Sequence, residues 1–302
     1  MKTGWHKYLF YCSVVFLVIA LYKADYLQIP RIHSPAYLIF AFVCLFSGFV
    51  VNTLSQKRLL EKYDFQISVR EALAMEGLNI FSKYIPGKVW MVMGKVVYLA
   101  ERKKFRASEL SLLFLHVHIV VLFCGLVLGI FGLWMNDALY FLSWAGLAML
   151  LLFTMMLLSK KVYQAVLSLS NKLLKRDDCL PDIDISKTLF LIPWFLVGWV
   201  LWGCGFYLLA LSITDHLLPV ATIFCFPLSA TIGVLFLFAP GGIGIREGII
   251  TGYLVLMNVA LPEAVTISAA SRLWFLAGEI LFFITGYIAN RKDSSSNCCP
   301  GS

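Results

Sequence analysis

The chain has 302 residues, of which 60% are hydrophobic and 14% charged, against about 45–50% and about 25% in ordinary globular domains. Such a composition cannot cover a water-facing surface, which excludes soluble enzymes, secreted disulfide scaffolds, disordered regulators and nucleic-acid-binding domains. The formal net charge of +8 therefore reads as membrane topology, with basic residues facing lipid headgroups and cytosol.

Residues 1–24 join a basic start (Lys2, Lys7) to an apolar run. Tyr22 and Ala24 make a poor small-x-small cleavage site, so an uncleaved first helix is predicted. Residues 36–54 predict a second span. Residues 68–100 are apolar but broken at Tyr84-Ile85-Pro86-Gly87. Proline lacks a backbone donor and glycine admits non-helical conformations, so two short helices around irregular backbone are expected. Each arm, at about fifteen residues, is too short to cross a ~30 Å hydrocarbon core at ~1.5 Å per residue, which predicts a re-entrant hairpin. Residues 109–134 and 138–158 predict two further spans.

Residues 160–187 form a polar loop with a basic part and an acidic end, read as a solvated loop with an interfacial helix or as a docking site. Residues 188–211 predict another span. Residues 217–260 are broken at Ala239-Pro240-Gly241-Gly242 and predict a second hairpin. Residues 264–290 predict the last span, and residues 291–302 a polar cytoplasmic tail. None of the eight cysteines forms a Cys-x-x-Cys pair, so neither a disulfide framework nor a zinc site is indicated.

With the first hairpin entering from the cytoplasm and the second from the opposite side, eighteen Lys and Arg fall inside and only Lys23 and Arg31 outside. That bias obeys the positive-inside rule and puts both termini in the cytoplasm. The order helix, helix, hairpin, helix then occurs twice, over residues 7–134 and 138–290, in opposite orientations. The expected fold is therefore a single all-α polytopic membrane domain, residues 1–302. It has six spanning helices plus two re-entrant broken-helix hairpins arranged as an inverted repeat, a plan recurrent in transporters. Reading the second broken region as two crossings gives eight spans.

Charges inside a bilayer are costly unless paired or hydrated, so those found there invite a functional reading. Lys83 and Lys88 flank Pro86-Gly87, and Lys95 follows on the face of Lys88. Helix-start lysines suit a phosphate, although they also snorkel to headgroups. In the second break, Gly241, Gly242 and Gly244 let a ligand approach the backbone, and Arg246 can hold a phosphate by two parallel hydrogen bonds. Glu247 could neutralise Arg246, or Gly244-x-x-x-Gly248 could serve helix packing.

Arg272 and Glu279 share a face of the last helix. Glu279 reads either as a proton acceptor or as half of a salt bridge. Glu71 and Glu76 are expected to partner Lys88 or Lys95, or to sit exposed at the interface. His116 and His118 lie on different helix faces with no ligating neighbours, so they read as ordinary helix histidines. Gly125-x-x-x-Gly129 reads as helix packing within the chain or between copies. No nucleophilic, Walker, paired-acid, metal or cofactor pattern is present.

The segments Lys-Tyr-Ile-Pro-Gly-Lys-Val-Trp at 83–90, Pro-Gly-Gly-Ile-Gly-Ile-Arg-Glu-Gly at 240–248, and the helix carrying Arg272 and Gly278-Glu279 resemble the lysylphosphatidylglycerol synthase transmembrane-type, or flippase-like, family. The likeness runs over about 36–289. It implies a bacterial or archaeal cytoplasmic (inner) membrane protein handling lipids with phosphate headgroups. These include aminoacylated phospholipids and, in some members, polyprenyl-phosphate-linked sugars. Members that synthesise the aminoacyl lipid carry a large soluble domain after the membrane region. This chain ends thirteen residues after Ala289, so no enzyme activity is expected.

The expected function is transfer of an anionic phosphate-headgroup lipid between leaflets, by rocking of one repeat against the other. Lys88 and Arg246 would be the principal cations. Alternatives are a non-transporting subunit docking a glycosyltransferase partner through 160–187, and a small organic-anion or ion transporter. The expected partners are membrane lipids, with a homo-oligomer also open and no nucleic acid.

Overall fold

The computed structural model describes residues 31–85, 89–135, 140–158, 187, 189–236, 242 and 244–296. The predicted first helix, almost all of the 160–187 loop, the tail beyond 296, and Pro86, Gly87, Lys88 and Gly241 lie outside the described residues. Among those described there are nine helices, two short 3-10 segments and no strand. They are α1 (Pro35–Lys62), α2 (Val69–Asn79) continued by the 3-10 turn Ile80–Tyr84, and α3 (Val89–Lys103). Next come α4 (Ala107–Trp134), α5 (Tyr140–Leu158) and α6 (Ile192–Ile213). The 3-10 turn Val220–Phe224 leads into α7 (Cys225–Leu235), followed by α8 (Ile245–Leu256) and α9 (Leu261–Ser296).

Helices α1, α4, α6 and most of α9 are long and apolar enough to cross a membrane, matching four of the six predicted spans, and α5 lies over a fifth. α9 continues to Ser296, past the expected end of the span. Both predicted breaks separate pairs of helices too short to cross alone. Isolated apolar residues outnumber polar ones on the outer surface: Ile39, Phe40 and Val43 of α1, Phe141, Trp144, Leu151 and Leu152 of α5, and Ile280, Ile284 and Ile288 of α9 are exposed. Water would not tolerate that surface; acyl chains do.

Local chemistry explains the ends. Pro35 sits in the first turn of α1, where its missing N–H costs nothing. Asp64, at φ 64°, ends α1 in the left-handed conformation, with Phe65 N–H on Leu60 O at 2.9 Å and Asp64 N–H on Glu61 O at 3.1 Å. Asn258, at φ 64°, closes α8 in the same way through Val259 N–H to Leu254 O at 3.0 Å. These are the paired carbonyl caps of a helix that must stop abruptly.

The packing repeats across the chain. α1 lies antiparallel along α6, tied at one end by His33 N–H to Ser212 O at 2.8 Å. α2 packs on α9 and α3 on α4, while α7 packs on α4 and α8 on α9. Each broken segment therefore straddles the same two helices, α4 and α9. Small residues permit the closest approaches: a Cβ on Gly77 of α2 would lie 2.8 Å from Gly286 Cα of α9, and one on Gly129 of α4 would lie 2.8 Å from Leu228 of α7. Gly125 meets Thr231 and Trp199 in the same way, so the Gly125-x-x-x-Gly129 face is spent on packing within the chain.

An aromatic cluster fills the centre. Phe49 of α1 lies 5.4 Å from Trp202 of α6, 5.3 Å from Phe275 and 5.2 Å from Phe282, both of α9. Phe226 of α7 lies 5.4 Å from Phe275. Two indole N–H groups find helix carbonyls, Trp199 on Val121 O at 2.9 Å and Trp202 on Leu45 O at 3.2 Å, as most buried donors do; that of Trp274 is buried without a partner among the described residues.

Candidate functional site

The first broken segment starts with a reciprocal cap: Ser68 Oγ accepts from Glu71 N–H at 3.1 Å and Glu71 Oε2 accepts from Ser68 N–H at 2.7 Å. The Ser-x-x-Glu spacing is sufficient to specify it. At the other end the helix tightens into its 3-10 turn. Ile85 leaves it with extended backbone, ψ 130°, as expected of a residue before proline. The turn presents Lys83 and Tyr84 to α9.

In the second segment the chain passes Gly242 at φ +71°, where a Cβ would lie 3.1 Å from Gly233 Cα of α7. Both the positive φ and the close approach demand glycine. α8 then begins after Gly244, also at positive φ, whose N–H donates to Glu247 Oε2 at 2.7 Å. Glu247 thus already supplies the negative charge that a helix start attracts.

The two segments meet at a cavity of about 200 Å³. Lys83, Lys95, Gly242, Arg246, Arg272, Glu76 and Glu279 line it, with α1, α4 and α6 completing the wall. Glu279 is wholly buried, ion-paired with Lys83, and accepts from Tyr84 O–H at 2.8 Å. Arg246, 6% exposed, has its guanidinium 4.2 Å from the Phe226 ring centre and 4.8 Å from that of Phe275. Lys83 Nζ lies 4.8 Å from the same Phe275 ring. Arg272 completes the group, 5.3 Å from the Tyr84 ring and 3.8 Å from Glu247 Oε1. Among the described residues, Nε and Nη2 of Arg246 are buried without a hydrogen-bond partner.

Several expectations are corrected. Glu71 is not in the cavity: its cap role holds it at the outer end of α2, where it pairs with Lys103 at 2.8 Å rather than with Lys95. Glu76 does pair with Lys95, at 2.5 Å. Glu247 pairs with Arg272 rather than with Arg246, because adjacent helical residues point to different faces. Gly244 and Gly248 have nothing within 4 Å of their would-be Cβ atoms, so the packing reading of that motif has no partner among the described residues. His118, read as ordinary, faces the cavity. Asn52, Gln56, Asn79 and Tyr84 also line it and were not singled out; Asn52 and Gln56, four apart in an otherwise apolar span, were the signal.

The chemistry available is electrostatic and hydrogen-bonding. Three cations from both broken segments and α9 lie against three aromatic rings, Phe226, Phe275 and Tyr84, and are balanced by two carboxylates, Glu279 and Glu247. Among the described residues no group of His, Cys, Asp and Glu could hold a metal ion. The family model described as lysylphosphatidylglycerol synthase TM region matches residues 7–278. No curated protein and no solved structure matches the chain.

Proposed function

The chain belongs to the lysylphosphatidylglycerol synthase transmembrane-region family, and from that premise we propose that it moves an anionic phosphate-headgroup lipid between membrane leaflets. A phospholipid and a polyprenyl-phosphate-linked sugar both satisfy this reading. The observation that carries it is the approach of Lys83 and Arg246, one from each broken segment, to within 4.8 Å of one Phe275 ring, with two Arg246 donors lacking an acceptor. Burying guanidinium donors without acceptors is costly. A phosphate offers two oxygens in the geometry of that fork.

In this reading the two broken segments are re-entrant hairpins entering from opposite sides, the second half being an inverted copy of the first. Its support is the charge bias of the loops and a packing pattern that is unchanged when the halves are exchanged: α2 on α9 becomes α7 on α4, and α3 on α4 becomes α8 on α9. Because each hairpin packs on the last helix of the other half, rocking whole halves apart would break the Gly77–Gly286 and Gly129–Leu228 contacts. The movement is instead an exchange of partners at the hairpin tips. Glu279 holds Lys83 until the phosphate takes its place, and the acyl tails stay in the bilayer throughout.

The test is translocation of a headgroup-labelled phosphate lipid by the full chain in liposomes. Lys83→Ala and Arg246→Ala each abolish the protein-dependent rate; an unchanged rate in both would refute the site.

A further inference from the structure

The cavity has two ends of different chemistry. At one lie Phe275, Lys83, Arg246 and Arg272. At the other, Lys95, itself 6% exposed, donates to Glu76 Oε1 at 2.5 Å and to Gln56 Oε1 at 3.0 Å. Gln56 Nε2 in turn donates to Asn52 Oδ1 at 3.1 Å.

Two independent helices measure the separation. Phe49, whose ring centre lies 5.3 Å from that of Phe275, and Gln56 are two turns apart on α1, about 10 Å at ~1.5 Å per residue. Lys83 and Glu76 are separated by the same number of residues in the first hairpin.

The second end is close to neutral, since Lys95 and Glu76 cancel. It retains unused hydrogen-bonding groups of both kinds. His118 Nδ1 lies 2.7 Å from Phe114 O; a carbonyl only accepts, so Nδ1 carries the proton and Nε2 of the neutral ring is left as an acceptor. Glu76 Oε2 is a second acceptor, and the Asn52 amide N–H₂ is a donor. None of the three has a hydrogen-bond partner among the described residues.

We infer that this end recognises the uncharged, hydroxyl-bearing part of the headgroup, so that the cavity selects polyol or glycosyl phosphate lipids over bare phosphates and over headgroups that add a cation. The inference rests on the phosphate-lipid reading above. Hydroxyls donate and accept at once, which suits a mixed set. A bare phosphate held at Arg246 is too small to use groups ~10 Å away. An ammonium headgroup would enter an end whose own ion pair is already neutral, so its added charge stays uncompensated, and burying an uncompensated charge is costly. A quaternary ammonium offers no donor to His118 or Glu76.

The experiment is lipid binding to the purified full chain, followed by native mass spectrometry. The probes are phosphatidylinositol, a polyprenyl-phosphate hexose, phosphatidic acid, phosphatidylethanolamine and lysyl-phosphatidylglycerol. The first or second binds at least roughly tenfold tighter than phosphatidic acid, the equivalent of two or three hydrogen bonds of ordinary net strength. Preference for phosphatidylinositol assigns a diacylglycerol anchor, preference for the hexose lipid a polyprenyl one, and a shared preference supports the polyol chemistry with either.

In Asn52→Leu of α1 and His118→Phe of α4 the ratio to phosphatidic acid falls toward one. Phosphatidic acid binding reports that the cavity is intact, and the two substitutions lie on different helices, so a misfolded variant leaves the other to decide. Equal binding of phosphatidic acid and the polyol lipids, tightest binding of lysyl-phosphatidylglycerol, or a ratio untouched by both substitutions would overturn the inference while the phosphate reading stands. Failure to bind any phosphate lipid would overturn both.

Discussion

Replacing Glu279 by leucine removes the one carboxylate shared by Lys83 and Tyr84. Deleting one partner of a buried ion pair costs about 3–5 kcal/mol, because the other charge is left uncompensated. Lys83 is 23% exposed and can turn toward the cavity, which discounts that figure to the low end or below. Tyr84 loses a hydrogen bond to a charged acceptor, about 1.5–3 kcal/mol. The net expectation is a loss of about 3–4 kcal/mol, which at roughly 2–4 °C per kcal/mol lowers the unfolding midpoint by roughly 6–16 °C.

The assay is thermal unfolding of the purified protein in detergent, on Glu279→Leu, Lys83→Met and the double variant. The double variant recovers at least half of the single-variant loss, since removing both charges removes the desolvation penalty with the attraction. A Glu279→Leu midpoint within about 1 °C of wild type, or a double variant as unstable as the two losses added, would show that the pair does not brace the first broken segment against α9.

Glu279→Gln keeps the shape but leaves Lys83 without its counter-charge, so affinity for a phosphate lipid rises and translocation slows; unchanged affinity in a binding titration would separate Glu279 from the anion site. Gly77→Val drives a branched side chain into the Gly286 backbone, where the first added carbon already lies 2.8 Å away; overpacking of this kind costs at least about 1–3 kcal/mol, read as a lowered unfolding midpoint, and a midpoint equal to wild type would contradict the α2–α9 contact. Gly242→Ala combines φ +71° with a 3.1 Å approach to Gly233 and is destabilised by about 1–2 kcal/mol from the left-handed backbone alone, whereas Gly248→Ala, with open space around it, leaves the midpoint unchanged; equal effects at the two positions would refute the turn geometry. Lys95→Met strands Glu76 and Gln56 at the polar end of the cavity and destabilises by about 1–3 kcal/mol, while Lys95→Arg restores most of it; loss in both to the same extent would show that Lys95 acts through something other than its charge.

Much of this arrangement could be read from composition and punctuation. Four long apolar helices fall where uninterrupted hydrophobic runs stand, and the described helices stop before each Pro-Gly sequence and resume after it, as a missing N–H and a missing Cβ predict whatever surrounds them. Lys83, Lys95, Arg246, Arg272 and Glu279 drew notice because charge within an apolar segment is expensive wherever the fold puts it. The partners were not legible. Glu71 was drawn outward by Ser68, a local cap that competed with the long-range pairing, and Glu247 was turned toward Arg272 by the helix it begins.

Which long helix each broken segment leans on depends on contacts between residues far apart in the chain, such as Gly77 with Gly286, and no local pattern encodes these. Phe275, the ring shared by Lys83 and Arg246, is one of 24 phenylalanines and has no sequence mark to distinguish it. His118 and Gln56 were visible as polar residues in apolar helices. Their meeting with Lys95 required the fold.

The most direct measurement is a cryo-electron microscopy map of the full chain in nanodiscs containing a phosphate-headgroup lipid. The account predicts headgroup density between the two broken segments, its phosphate within hydrogen-bonding reach of Arg246 Nε and Nη2 and of Lys83, with the acyl chains leaving toward the bilayer. Lipid phosphates confined to the membrane surface, with the space beside Phe275 closed or filled by hydrocarbon, would contradict it.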